Sequence, residues 1–226
     1  MGHRYPIRAV ATVNDLVRFL FRFVAVMMNE IAVGLHDVLL DVSSRLSAAA
    51  CDRKSPMHTP VIGTADGDLR IMVLRACDPH LAALRLHTDA RSPKVALIEQ
   101  RPEIAMLAYD PAAKVQIRAR GQGRIEREGP VADAAWTAAT AFARRCYLTS
   151  AGPGSEADQP LSGLPPELEG IRPTEEQLLA ARANFAVLLI TLTELDWLYL
   201  AHNGHRRAKF SRGDAGQPWQ GTWVVP

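Results

Sequence analysis

The stretch from Arg70 to Arg124 decides the fold, and three segments inside it carry the reading: RIMVLR at Arg70–Arg75, HTDARSPK at His87–Lys94 and VQIRARG at Val115–Gly121. In the last, Val115, Ile117 and Ala119 alternate with Gln116, Arg118 and Arg120. That period of two is a strand with one apolar and one polar face. Gly121 and Gly123 follow and mark a bulge or bend where the strand curves. In the first segment, Arg70 and Arg75 fall on opposite faces of a strand unless a bulge or strand end intervenes. In the second, Ser92-Pro93 opens a short helix, since Ser suits an N-cap and Pro the first helical turn. Ser92 and Lys94 at a helix N-terminus favour an anion. Together with the arginines they are more cation and donor than a β-domain needs in order to fold.

Outward from this stretch the pattern stays mainly β. Val38, Leu39, Val42, Leu46 and Ala49 recur at helical spacing, so residues 36–50 are read as a helix ended by Pro56 and Pro60. Val61–Thr64 and Leu69–Leu74 are read as a hairpin about Asp66-Gly67. Further strands are expected at Ala83–Thr88, Ile104–Tyr109 and Lys114–Ile125. Pro130–Leu148 is read as one helix, Thr149–Pro173 as a long loop, and Thr174–Ala183 as a helix with a Thr174/Gln177 capping box. Phe185–Leu200 and Arg206–Ser211 flank His202-Asn203-Gly204-His205, a hairpin turn, and Trp219–Val225 is the last strand. Short strands without regular βα alternation point to an antiparallel barrel with flanking helices.

Bulk properties narrow the function. The net charge of +2 and the lack of any five-residue basic run give no footprint for nucleic acid. Cys51, Cys77 and Cys146 are odd in number and lack CxxC spacing, which argues against a disulfide framework and a zinc site and fits a reducing cytoplasm. They are expected to be structural thiols, some of them buried. Residues 1–33 are read as an apolar, helical N-terminal extension, in which Arg18, Arg22 and Glu30 interrupt any clean membrane span. Residues 34–226 are taken as the folded domain. His202, His205 and Asp196 are close in sequence but too few and too poorly placed for a metal. No GxSxG motif is present.

The three segments resemble the pyridoxamine 5′-phosphate oxidase-like family of flavin mononucleotide (FMN)-binding split barrels. The family's R-x-V-L-L-K, F-Y-T-N-x-x-S-R-K and R-Q-V-R-x-x-G patterns match Arg70–Arg75, Leu86–Lys94 and Val115–Gly121. The resemblance implies an antiparallel split β-barrel and a homodimer with FMN at its interface. Arg70, Thr88, Ser92 and Lys94 would surround the flavin phosphate and ribityl chain, with His87 beside them. Met72, Val73, Leu74 and Gln116 would line the ring, and Tyr199 and Lys209 would complete the partner's site. Gln159 matches a family Gln loosely. Arg75 stands where the family has a substrate-contacting Lys; Arg145, His205 and Arg207 are the remaining substrate candidates. Two departures stand out: Pro93 replaces a phosphate-binding Arg, and Ala141 replaces a substrate-binding Tyr. They point away from vitamin B6 oxidation itself. The resemblance thus implies an FMN-dependent oxidoreductase acting on an unassigned small molecule or electron donor. The alternatives are a flavin- or haem-binding carrier or sensor without turnover, and a barrel that has lost its cofactor.

Overall fold

The computed structural model describes residues 34–226, within which nine strands form one sheet with antiparallel pairing throughout. The strands are β1 (Val61–Gly63), β2 (Leu69–Ile71), β3 (Leu74–Cys77), β4 (Ala83–Asp89), β5 (Glu103–Asp110), β6 (Val115–Glu126), β7 (Phe185–Tyr199), β8 (Arg206–Ser211) and β9 (Gln220–Val224). The helices are α1 (Leu35–Cys51), α2 (Pro93–Gln100), α3 (Pro130–Ala138), α4 (Ala141–Arg145) and α5 (Glu175–Leu178).

Hydrogen bonding runs β2-β1-β5-β6-β7-β4-β3, with β8 and β9 continuing from β7. β2 and β3 end that path, yet only Met72 and Val73 separate them along the chain. The chain therefore closes the sheet through a covalent seam, and two edges that would otherwise stay open are joined. The expected single strand Leu69–Leu74 is corrected here. Past Ile71 the chain still follows residues before β1, through Met72 N to Pro60 O (3.1 Å) and Leu74 N to His58 O (2.9 Å), and it then passes to β4. Arg70 and Arg75 consequently stand on different strands with different partners.

The split in the barrel comes from β7. Its first half, Phe185–Thr191, pairs with β4, and its second half, Glu194–Tyr199, pairs with β8. β6 follows both halves, and its register shifts between Arg120 and Gly121. A Cβ on Gly121 would lie 2.0 Å from the Thr191 carbonyl oxygen, so the strands can approach there only over glycine.

Alternation along β5 and β6 turns Ile104, Met106, Ala108, Val115, Ile117 and Ala119 into the core. α1 covers part of this core with Val38, Val42, Leu46 and Ala49, all fully buried. Its buried charges are satisfied. Arg45 Nε donates to Asp41 Oδ1 (2.8 Å), Arg45 Nη1 to Asp110 Oδ2 (3.2 Å), and Trp197 Nε1 to Asp41 Oδ2 (2.9 Å). The network fastens α1 to β5 and β7, and its specificity comes from the pairing rather than from net stabilisation. A second cluster lies where Phe185 and Val187 meet Ala132 and Ala135 of α3, with Trp136 and Tyr147 against it.

Two helices are shorter than expected. Pro130–Leu148 breaks at Ala139-Thr140, where Thr140 Oγ1 accepts from Ala143 N (3.2 Å) and caps α4 as a new helix. The Thr174/Gln177 capping box forms, but α5 ends after one turn and passes into a 3₁₀ segment, Ala180–Asn184. Cys51 and Cys146 are exposed rather than buried; Cys77 is half-buried, and burial pushes its thiol up to about 12. No described helix is long and apolar enough to cross a membrane. The apolar extension of residues 1–33 lies outside the described residues.

Candidate functional site

β4 ends in Thr88 and Asp89, and a turn closed by Ser92 N to Asp89 O (3.1 Å) feeds α2. α2 buries Val95 and Ile98, the latter packed over Gly123 of β6. Ser92 is the N-cap residue as expected, but its hydroxyl does not cap the helix; it accepts from Lys94 Nζ at 2.8 Å. Arg70 of β2 lies opposite the buried Ile62 of β1, so it emerges on the interior side of the wall. Its guanidinium donates to Thr64 Oγ1 (3.2 Å) and pairs with Asp68.

The charges at this end do not balance locally. Burial, and then the neighbouring Arg70, hold the Lys94 ammonium below its ordinary range. Asp68 is engaged by Arg70, and Asp89 by Arg91 through Nε (3.0 Å) and Nη2 (2.8 Å). Thr88 is buried, and its hydroxyl makes only a long contact to Asp89 O (3.4 Å). An ammonium, a guanidinium, two hydroxyls and a helix start without a side-chain cap thus share one end of the barrel. Such a set suits an oxyanion.

Arg75 is the bulged residue between Leu74 and Ala76, and with Arg85 it stands close to His87. Arg75 Nε, Arg85 Nε and His87 Nε2 are all buried without a hydrogen-bond partner in the described residues. His87 meets Phe185 edge-on at 4.9 Å. Burial, then Arg75 and Arg85, lower its imidazole to about 4. Buried donors that lack acceptors are uncommon and mark places where a ligand or water completes the bonding. Nearby Met72 is almost buried and Val73 half-buried. The Leu74 side chain is fully in the core, so only its main chain can face a ligand.

The remaining residues stand elsewhere. Gln116 is on the outer face of β6, in register with Leu198 of β7 and, beyond it, Arg207 of β8. Arg207 donates to Asp196 through Nε (2.9 Å) and Nη2 (2.7 Å), and Arg118 pairs with the same carboxylate. The Lys209 ammonium has no partner among the described residues. It lines an outer groove of about 830 Å³ with Leu69, Leu107, Arg118 and Thr222. Tyr199 is half-buried, stacked on Trp197 at 6.2 Å. His205 is exposed in the hairpin turn and Gln159 in the long loop. Arg145 donates to Leu168 O (3.1 Å) and Ile171 O (2.9 Å), which ties it to that loop.

The chain therefore brings Arg70, Thr88, Ser92 and Lys94 to one end of the barrel and leaves Gln116, Arg207 and Lys209 on the outer wall. Arg70 and Gln116 lie on opposite faces of the sheet. Sequence reasoning missed Thr64, Asp68 and Arg85. Arg85 alone carried a signal, standing two residues before His87 on the same face of a strand.

Residues 45–127 match the model of the pyridoxamine 5′-phosphate oxidase FMN-binding domain, so the family resemblance read from the three segments holds over that region. No curated protein matches the chain in sequence. Among solved structures, a pyridoxamine 5′-phosphate oxidase-related, FMN-binding protein from Nostoc punctiforme PCC 73102 is 18% identical. It aligns with 87% of this chain and 100% of its own at a TM-score of 0.62. PhzG from Burkholderia lata 383, solved with tetrahydrophenazine-1-carboxylic acid, is 17% identical over 93% of this chain and 92% of its own, at 0.54. At such identities the likeness establishes the fold alone, a split barrel.

Proposed function

We propose that this chain is an FMN-binding oxidoreductase of the pyridoxamine phosphate oxidase-like type, working as a homodimer on a small-molecule substrate or electron donor. The observation that carries the reading is Lys94, a half-buried ammonium beside Arg70 with no carboxylate of its own. The donor set fits the group. Lys94, Arg70, Ser92 and Thr88 would hold the flavin phosphate despite Pro93, and the main chain of Met72–Leu74 would run beside the ring. Arg75 and His87 offer buried donors that still lack acceptors. FMN, when bound, supplies the two-electron redox chemistry, and the protein's part is position and exclusion of water.

A second copy of the chain accounts for the rest. Gln116 and Lys209 lie on the outer wall, away from the face that presents Arg70. Leu69, Ile71, Leu107 and Tyr109 are exposed on the same wall, an apolar surface suited to burial against another protomer. In the dimer, Gln116, Tyr199 and Lys209 would reach the partner's flavin. Three unpaired cysteines, two of them exposed, suit a reducing cytoplasm. The reading does not extend to pyridoxine phosphate oxidation. Ala141 has no hydroxyl, Arg145 is held by loop carbonyls, and Arg207 is held by Asp196.

The test is a titration of flavin-free protein with FMN, followed by addition of NADH, NADPH or an amine. Saturable binding of one FMN per chain and bleaching by a donor are expected. No binding would overturn the assignment; binding that no donor bleaches would turn it into a flavin carrier or sensor.

A further inference from the structure

Two carboxylates stand close enough to bias the Lys94 ammonium, Asp68 and Asp89, and each is held by its own arginine. Asp68 is exposed and pairs with Arg70, itself part of the anion end. Asp89 is different. It is buried, it closes the turn that leads into Ser92 and Lys94, and Arg91 is its one ion-pair partner among the described residues.

Every nitrogen of the Arg91 guanidinium is engaged. Nε donates to Asp89 Oδ1 (3.0 Å) and Nη2 to Asp89 Oδ2 (2.8 Å), a two-pronged grip on the carboxylate. Nη1 donates to Thr149 O (2.9 Å), and Nη2 donates also to Thr149 Oγ1 (2.8 Å), at the start of the long loop. Those two Thr149 contacts are the only hydrogen bonds between residues 149–163 and the barrel among the described residues. The loop in turn packs on the arginine. Ser150 N donates to Gly163 O (3.0 Å) across its base, and a Cβ on Gly152 would stand 3.0 Å from the Arg91 Cβ. The loop thus fixes the fork against Asp89.

A guanidinium so fully engaged is not itself a ligand for an anion, and its influence has to pass through Asp89. Without Arg91, a buried carboxylate would lack its counter-charge beside an ammonium whose present partner is the neutral Ser92 hydroxyl. Asp89 and Lys94 would then pair, because a buried charge left alone is costly. That pairing would neutralise Lys94 and set a negative charge against an incoming phosphate.

We propose that Arg91 is a positioning residue for the anion end of the barrel: it holds Asp89 away from Lys94 and so keeps the ammonium free for the ligand's phosphate. The identity of that ligand rests on the FMN reading, whereas the effect on Lys94 exists before any ligand binds.

The test compares wild type, Arg91→Gln and Arg91→Gln/Asp89→Asn, each checked for folding by circular dichroism. In the flavin-free proteins the Lys94 side chain is titrated by NMR. Lys94 is expected to titrate at higher pH in Arg91→Gln than in wild type, and to return towards wild type in the double variant, which has no carboxylate to release. FMN is then titrated into all three. Affinity is expected to fall about tenfold or more in Arg91→Gln, the scale of one charge-assisted contact, and to recover in the double variant. An unchanged Lys94 titration in Arg91→Gln would overturn the proposal, whatever the protein does with flavin. Equal loss of FMN affinity in the single and double variants would overturn it too, since Arg91 would then act as a ligand or as a structural tie alone. A wild type that binds no FMN counts against the FMN reading, and the Lys94 titration still decides the role of Arg91.

Discussion

Lys94 Nζ donates to Ser92 Oγ at 2.8 Å, and that neutral hydroxyl is its one hydrogen-bond partner among the described residues. Burial and Arg70 both disfavour the ammonium, so the protein bears a cost there that a bound dianion would remove. Lys94→Ala is therefore expected to lose a charge-assisted contact worth about 1.5–3 kcal/mol. That is about one to two decades in FMN affinity. Fluorescence titration of flavin-free protein checks it, and wild-type affinity in the variant would remove Lys94 from the site. Riboflavin, without the phosphate, is expected to bind the wild type far more weakly than FMN does.

Gly121 and Gly123 separate two kinds of crowding. At Gly121 a Cβ would strike backbone, the Thr191 carbonyl oxygen at 2.0 Å and its carbon at 2.8 Å. At Gly123 it would meet side-chain carbons of Ile104 and Ile98, at 2.9 and 3.0 Å, which can turn aside. Gly121→Ala is thus expected to destabilise the fold by more than about 3 kcal/mol, or to prevent folding, and Gly123→Ala by about 1–2 kcal/mol. Urea midpoints order the two variants, and an equal or reversed order would contradict the bulge as the hinge of the barrel.

The alternation of β6 and the glycines that bend it were legible because strand faces and bulges depend on local chemistry. Ser92 and Lys94 were legible for the same reason, as a helix start with a cation. The break at Met72-Val73 was not, because Ile71, Met72, Val73 and Leu74 are uniformly apolar and the change of partner from β1 to β4 is a tertiary event. The break before α4 had a faint signal in Thr140, a good N-cap within an otherwise helical run. Thr64 gained its significance only from the hairpin that brings it to Arg70, whereas Arg85 stood in the sequence two residues before His87 on one strand face. Gln116 was read on its correct polar face, yet its register with Arg207 could not be known before β7 and β8 were aligned.

His87 gives the fold a pH dependence. In the folded chain burial, Arg75 and Arg85 lower its imidazole to about 4, against an ordinary value of 6.5. Between those values the unfolded chain binds the proton and the folded chain does not, so stability falls as pH drops through that window. At about 1.4 kcal/mol per pH unit the upper figure is roughly 3 kcal/mol, and partial exposure of the ring reduces the expectation to about 2 kcal/mol. His87→Phe is expected to lose this part of the acid sensitivity between pH 7 and 4.5. Urea unfolding of both proteins at the two pH values measures the difference, and identical pH dependence would show that His87 is free to protonate in the folded state.

Assembly and flavin affinity are expected to be linked. One chain presents Arg70 on the interior side of β2 and Gln116 on the outer face of β6, so a flavin that needs both must draw on two protomers. A ligand that binds only the dimer stabilises the dimer by mass action. Holo-protein is thus expected to remain dimeric in sedimentation at dilutions where flavin-free protein dissociates. A charge placed on the exposed apolar wall, Leu107→Asp, is expected to weaken both properties together, since it leaves Lys94 and Arg70 intact and disturbs only the proposed contact. A variant that sediments as a monomer yet keeps wild-type FMN affinity would show that the site is complete within one chain.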